Sequence, residues 1–423
     1  MPTIRRLSAL EILDSRGRPT IQATCELEYA RGTASVPSGA STGSAEALEL
    51  RDGDPARYRG LGCRKAVANI NGEIHALLQG QRFDSQSQLD HLLWEFDGTP
   101  NKSRLGANAI LAVSLAFARA FAAEHDMSLY LYFAALIQEQ HRGESLPRPT
   151  INLFSGGKHA GAQVAIQDVL LVPLSAQTLD EALAMTYEVY QCAAELSLQK
   201  HGMRALKADE GGLAPAFPST EAMLDDALES ISRAGFKAGE DIGLAVDVAA
   251  SQFYRDGLYY LDHQALSSTQ LLDKVLGWIK AYPIVSIEDG LAEEDWATWQ
   301  QFIQAVNIGT AVLGDDLLCT NPDRISRAID MQAANALLLK VNQIGTITEA
   351  AHALHLAREA GWGVTVSARS GETEDHWLAD LAVGWRAEYI KIGSIMQSER
   401  LAKYNRLLAI EAETGWSFSG GKP

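Results

Sequence analysis

From residue 150 onward, short apolar runs alternate with longer amphipathic segments, and run after run stops at an ionisable residue. The runs cover 169–172, 244–246, 284–287, 311–313, 336–339, 364–366 and 389–390, with helix-like stretches at 179–199, 220–234, 268–281, 322–333 and 347–360. Strands separated by helices build βα units and a parallel sheet. Seven or eight such units fit a closed (β/α)8 barrel better than an open, doubly wound sheet. No G-x-G-x-x-G follows a strand, so a dinucleotide crevice is not indicated. Glu210 follows Leu206-Lys-Ala-Asp, Asp247 follows Leu244-Ala-Val, Glu288 follows Ile284-Val-Ser-Ile and Asp315 follows Val312-Leu-Gly. Lys340 ends a run of leucines, Arg369 sits just past Val364-Thr-Val, and Lys391 follows Tyr389-Ile. In a barrel the carboxyl ends of the strands face the active site, so these residues are expected at one mouth.

The first part of the chain follows another pattern. Ile21, Ala23, Cys25 and Leu27 alternate with polar residues, the period of a half-buried strand. Pro37-Ser-Gly-Ala-Ser-Thr-Gly43 has no apolar anchor and reads as a loop able to act as a lid. Helical periodicity is expected from about 45 to 136, and the polar stretch 138–149, closing on Pro147 and Pro149, reads as a link. The expected division is therefore 1–137, a linker at 138–149, and 150–423.

With 53 acidic against 36 basic residues and a net charge of −17, the chain lacks the cationic surface that nucleic acid requires. The apolar stretch 110–123 is short for a bilayer and holds Ser114 and Arg119, so a buried helix is expected there and no membrane partner. Cys25, Cys63, Cys192 and Cys319 stand far apart without a C-x-x-C pair, which argues against zinc ribbons and dithiol chemistry. The opening residues carry no apolar signal core, and a cytoplasmic location is expected.

Asp247, Glu288 and Asp315 end three consecutive strands. Three hard anionic oxygens without cysteine suit Mg2+, with Mn2+ as a substitute. Asp289 and Asp316, next in the chain, are expected to support these ligands or cap backbone. Lys340, partly desolvated and beside a metal, is expected to have a lowered pKa and to act as a base; Lys391 would push the same way. Glu210, between glycine-rich neighbours, is a candidate general acid. Arg369 and Ser370 offer a planar cation and a hydroxyl for a phosphate or carboxylate.

Longer motifs surround these residues: Asp14-Ser-Arg-Gly-Arg-Pro-Thr20, Ser38-Gly-Ala-Ser-Thr-Gly43, Glu46-Ala-Leu-Glu-Leu-Arg-Asp-Gly53, Gly106-Ala-Asn-Ala-Ile-Leu-Ala-Val-Ser114, Asp209-Glu-Gly-Gly212, Ser286-Ile-Glu-Asp-Gly290, Gly314-Asp-Asp-Leu317, Asn342-Gln-Ile-Gly345, Arg369-Ser-Gly-Glu-Thr-Glu374 and Ala402-Lys-Tyr-Asn405. In this order they make the chain resemble the enolase family over nearly its whole length. The resemblance implies an N-terminal α+β domain capping a modified (β/α)8 barrel, in homodimers or larger assemblies of dimers. It implies dehydration of 2-phospho-D-glycerate to phosphoenolpyruvate, with Lys340 abstracting the C2 proton and Glu210 protonating the departing 3-hydroxyl. Asp247, Glu288 and Asp315 would hold one Mg2+, Ser41 would ligate a second, Arg369 and Ser370 would hold phosphate, and Lys391 the carboxylate side. His159 and Gln167 match substrate-loop positions, and Asp168 beside them would also face the substrate.

Three places depart from the family pattern. Asp168 stands where enolases carry Glu, one methylene shorter. Ala368 replaces the His of Ser-His-Arg-Ser-Gly-Glu. The loop 156–164 has Lys158 for the usual Glu and lacks the Asp-Asn-Asn run. Two readings follow: a divergent dehydratase, or a relative that keeps the enolate chemistry with another leaving group or co-substrate, such as carboxyphosphonoenolpyruvate formation or another step of phosphonate biosynthesis. A scaffold that has lost catalysis would lack base or ligands, and all are present.

Overall fold

The computed structural model describes residues 2–137, 144–202, 206–307 and 309–418. The N-terminal domain opens with an antiparallel meander of β1 (Arg6–Leu13), β2 (Pro19–Glu26) and β3 (Arg31–Ser35), in register Leu7↔Cys25 and Cys25↔Gly32. The alternation in β2 turns Ile21, Ala23 and Cys25 inward, all fully buried. Helix Ala107–Glu124 lies across this sheet, and Gly32 lets it come close: a Cβ there would stand 2.3 Å from the Ala120 nitrogen. That helix is long and apolar enough to cross a membrane, but 78% of its apolar window is buried inside the fold. The helical stretch expected from 45 to 136 begins later. Residues 45–63 are irregular apart from one 3-10 turn at Tyr58–Gly60, and regular helix starts with Arg64–Asn69.

The second part is a closed eight-stranded barrel. Its strands are β4 (Arg148–Ser155), β5 (Asp168–Pro173), β6 (Ile242–Asp247) and, after a small sheet of β7 (Tyr254–Arg255), β8 (Leu258–Leu261) and β9 (Gln264–Leu266), β10 (Ile284–Glu288), β11 (Ala311–Gly314), β12 (Ala336–Leu339), β13 (Gly363–Ser367) and β14 (Tyr389–Gly393). Helices Leu179–His201, Thr220–Arg233, Ser268–Ala281, Pro322–Met331 and Ile347–Glu359 each begin where a Ser, Thr or Asn side chain accepts an orphan N–H: Thr178, Ser219, Ser267, Asn321 and Thr346.

The sheet is not wholly parallel as the alternation suggests. β5 runs antiparallel to both β4 and β6. Residues 156–167 between β4 and β5 form a loop with one 3-10 turn, Gly157–Ala160, so no helix carries the chain back to the barrel's other end. Part of the expected link lies outside the described residues, and its last two residues, Arg148 and Pro149, already belong to β4. Glu210 does not end a strand. It lies in the loop between Leu179–His201 and Thr220–Arg233, pinned to β4 by the Phe154↔Leu213 bridge.

Candidate active site

β6 and β10 are neighbours, with Asp247 opposite Glu288. One ammonium serves both: Lys391 Nζ donates to Asp247 Oδ2 at 2.8 Å and to Glu288 Oε2 at 2.6 Å. Gln167 Nε2 donates to the same Asp247 oxygen at 2.8 Å. One strand on, Lys340 Nζ bonds Asp315 Oδ2 while Gln343 Nε2 donates to Asp315 Oδ1 at 2.8 Å. Asp289 accepts the backbone N–H of Asp315 at 2.9 Å and of Asp316 at 2.7 Å, fixing the turn after β11.

Burial and then the charge of Asp247 push Glu288 well above the usual carboxylate range. Burial, which alone would lower Lys391, is outweighed by Asp247 and Glu288, so this ammonium is held well above its ordinary range. Lys340 departs from the sequence expectation. Burial does favour its neutral form, but the contact with Asp315 outweighs it and the amine sits above its ordinary value. Burial and then Asp315 push Asp316 up to about 7.

Across the mouth, Asn152 Nδ2 donates to Glu210 Oε2 at 3.1 Å, and Ser155 Oγ donates to Asp168 Oδ1. His159 Nδ1 lies 3.4 Å from Asp168 Oδ2 without hydrogen-bond alignment. Ligand atoms of His159, Asp168 and Glu210 all fall within 4.8 Å of one another, so the shorter Asp168 still lies beside Glu210. Burial, with Glu210 adding to it, raises Asp168. Glu210 goes the other way: burial would raise it, but His159, Arg400, Lys391 and Lys340 together lower it. His159 is raised, because Asp168 and the acids around it outweigh burial. The antiparallel course of β5 is what brings Asp168 here, since it puts the strand's first residue at the mouth, paired with Asp247.

Arg369 and Ser370 meet the N-terminal domain. Arg369 donates to both Glu46 oxygens at 3.1 Å, to Asn342 Oδ1 at 3.0 Å and to the Ser41 carbonyl at 2.9 Å. Ser370 Oγ accepts the Ala40 N–H at 2.7 Å and an Arg16 N–H at 3.1 Å. Gly39 makes the loop possible, because a Cβ there would stand 1.9 Å from Arg369 Nη2. Glu46 and Arg16 were not singled out from the sequence, although both lie inside the motifs 46–53 and 14–20. Ser41 enters through its carbonyl. Ala368, buried, donates its N–H to the Lys391 carbonyl at 2.8 Å.

Among the described residues, the side chains whose ligand atoms converge for a metal are His159/Asp168/Glu210 and Asp289/Asp315/Asp316. The expected trio of Asp247, Glu288 and Asp315 is not drawn together in this way. The two lysines supply its counter-charge instead, Lys391 between the first two and Lys340 on the third. The trio nonetheless fits a divalent cation. All its donors are hard oxygens at the ends of adjacent strands, and Glu288 Oε1 is buried without a hydrogen-bond partner.

Fold and site together define a capped barrel whose mouth gathers buried carboxylates and lysines beneath a loop from the N-terminal domain. The chain belongs to the enolase family. A model described as "Enolase, N-terminal domain" matches residues 4–133 and one described as "Enolase, C-terminal TIM barrel domain" matches 143–420. It is thus an enolase-like lyase or a member of that superfamily, and acidic clusters able to hold a metal lie in its barrel mouth.

Proposed function

We propose that this protein interconverts 2-phospho-D-glycerate and phosphoenolpyruvate. The observation that carries the reading is the placement of base and acid around the ring. In the strand order β10-β11-β12-β13-β14-β4-β5-β6, the strand before Lys340 and the strand that starts at Asp168 are four apart in either direction, hence opposite each other. Once its ion pair with Asp315 is released, burial favours the neutral amine of Lys340, which gives its proton to solvent and then accepts the C2 proton. Asp168 and Glu210, too close for both to ionise freely, retain one proton between them; it rests on Asp168, which burial and Glu210 raise, and passes to Glu210, which, oriented by Asn152, delivers it to the departing 3-hydroxyl. Arg369 and Ser370 bind phosphate beneath the 38–43 loop, and Lys391 faces the carboxylate. A Mg2+ held by Asp247, Glu288 and Asp315, with Ser41 offered to a second, would supply Lewis-acid stabilisation of the carboxylate on which charge accumulates. The test is phosphoenolpyruvate formation from 2-phosphoglycerate with Mg2+. Efficient turnover supports the reading, and none from a metal-loaded, folded enzyme refutes it.

Ala368 favours a second reading. At the end of β13 it offers a methyl group where enolases place an imidazole, and Ser155 engages the shortened Asp168. An enzyme that expels another group, or joins the enolate to a phosphonate co-substrate, needs that space. Turnover of a phosphonate acid in place of 2-phosphoglycerate would select this reading.

A further inference from the structure

The barrel has a second opening. A cavity of about 430 Å³ occupies the lower lumen, and every barrel strand contributes to its wall. It opens at the amino ends of the strands, where Gly309 and Gly361 are exposed, and it ends inward at Glu288 and Lys391. Barrel lumens are ordinarily filled by layers of bulky branched side chains. Here the inward positions include Ala245, Ala311, Ala336 and Gly363. The remaining large residues fall into two apolar clusters, Leu170 and Val172 with Ala245 on one side and Leu313 and Leu338 with Ala336 on the other, both separate from the main core. The gap between them is the cavity, and its size lies in the small-molecule range of about 300–1,000 Å³.

The charged groups of this lumen lie at its two ends, with the hydroxyl-bearing Thr150, Ser286 and Thr365 on the largely apolar wall between them. At the solvent end Arg148 donates Nη1 to the carbonyls of Pro173 and Ala176 and stacks over Phe418 at 4.5 Å. Among the described residues its guanidinium makes no ion pair. Beside it Tyr389 Oη is buried without a hydrogen-bond partner, and burial pushes this phenol up to about 12, so it remains a donor at neutral pH. Glu388 shares the rim, with Oε2 accepting the Val364 N–H at 2.9 Å. One available cation and one unpartnered hydroxyl above an apolar shaft suit a ligand with a single negative charge and a hydrocarbon body.

We propose that this lumen binds a small amphipathic monocarboxylate, its carboxylate at Arg148 and Tyr389 and its tail between the two apolar clusters. The inference does not rest on the reaction proposed above, and its test reads binding alone. Octanoate is titrated into the full-length protein by calorimetry and thermal shift, with inorganic phosphate present to occupy Arg369. The expected result is saturable binding at one site that phosphate does not displace. Tyr389→Phe, which removes a hydroxyl the fold does not use, weakens it about tenfold. Ala336→Leu, and the milder Ala245→Val as a second filling variant, remove or weaken it in proportion to the added volume. Absence of saturable binding, displacement by phosphate, equal affinity for octanol, or full affinity in a folded filling variant would each overturn the assignment.

Discussion

Glu46→Gln isolates the joint between the two domains. The wild-type carboxylate receives two Arg369 N–H bonds at 3.1 Å, and its side chain and that of Arg369 are 8% and 3% exposed. Two charge-assisted hydrogen bonds at roughly 1.5–3 kcal/mol each give about 3–6 kcal/mol. Breaking one partner of a buried ion pair independently gives about 3–5 kcal/mol, much of it the cost of a buried cation left unpaired. Glutamine keeps the shape but faces one guanidinium nitrogen with a donor. Asn342 Oδ1 and the Ser41 carbonyl then remain as neutral acceptors. The assay is urea unfolding followed by tryptophan fluorescence, with and without inorganic phosphate. The variant is expected to lose about 3–5 kcal/mol and to regain more from phosphate than wild type does, because the anion replaces a missing partner instead of competing with one. A loss under about 1 kcal/mol, the value of a solvent-screened pair, would refute the reasoning. So would an equal phosphate response in the two proteins.

Lys340→Ala is expected to abolish turnover while leaving the circular dichroism spectrum intact; retained activity would exclude it as the base. The double change Asp168→Glu with Ala368→His is expected to raise 2-phosphoglycerate dehydration, read in the same phosphoenolpyruvate assay, and no gain would place the divergence elsewhere. Chelation by EDTA is expected to stop the reaction, with Mg2+ restoring it more fully than Zn2+ as the oxygen donors dictate. Asp380 tests pH linkage: burial would raise its pKa, but His376 and Arg406 outweigh burial and lower it. Its folded value therefore lies below the unfolded value, so its contribution is present above the ordinary carboxylate pKa of 3.8 and disappears as pH falls through the folded value. Asp380→Asn should cost about 3–5 kcal/mol at neutral pH and progressively less as the pH falls below the ordinary carboxylate value, measured as urea midpoints.

Sequence readings succeeded where the cause is local. The run 336–339 is β12 and the stretch 268–281 is a helix, because a leucine run and a Ser267 cap act within a few residues. The ends of β6, β10 and β11 carried Asp247, Glu288 and Asp315 to the mouth for the same reason. Glu46 escaped notice because its partner lies 323 residues away, and a pair that distant leaves no periodicity in the chain. The direction of the Lys340 shift failed for a related reason. A run of leucines shows desolvation, but the acid that overrides it comes from another strand.

The course of β5 shows how one such failure reaches the chemistry. An apolar run such as 169–172 looks the same read up or down the barrel, so only the absence of a helix in 156–167 distinguishes the two directions. Were β5 parallel, its first residue would lie at the lower opening, beside Arg148 and far from Glu210. Running antiparallel, it places Asp168 beside His159 and Glu210, opposite the strand that ends at Lys340. The acid half of the site therefore follows from the direction of a single strand, and the loop 156–167 that joins β4 to β5 also supplies His159 and Gln167. Lengthening that loop at its exposed tip, at Gly161, should leave the β4–β5 pairing and hence folding intact, while lowering turnover through His159. Loss of folding in such an insertion would show that the loop itself, and not the pairing of β5 with β4 and β6, fixes the strand's direction.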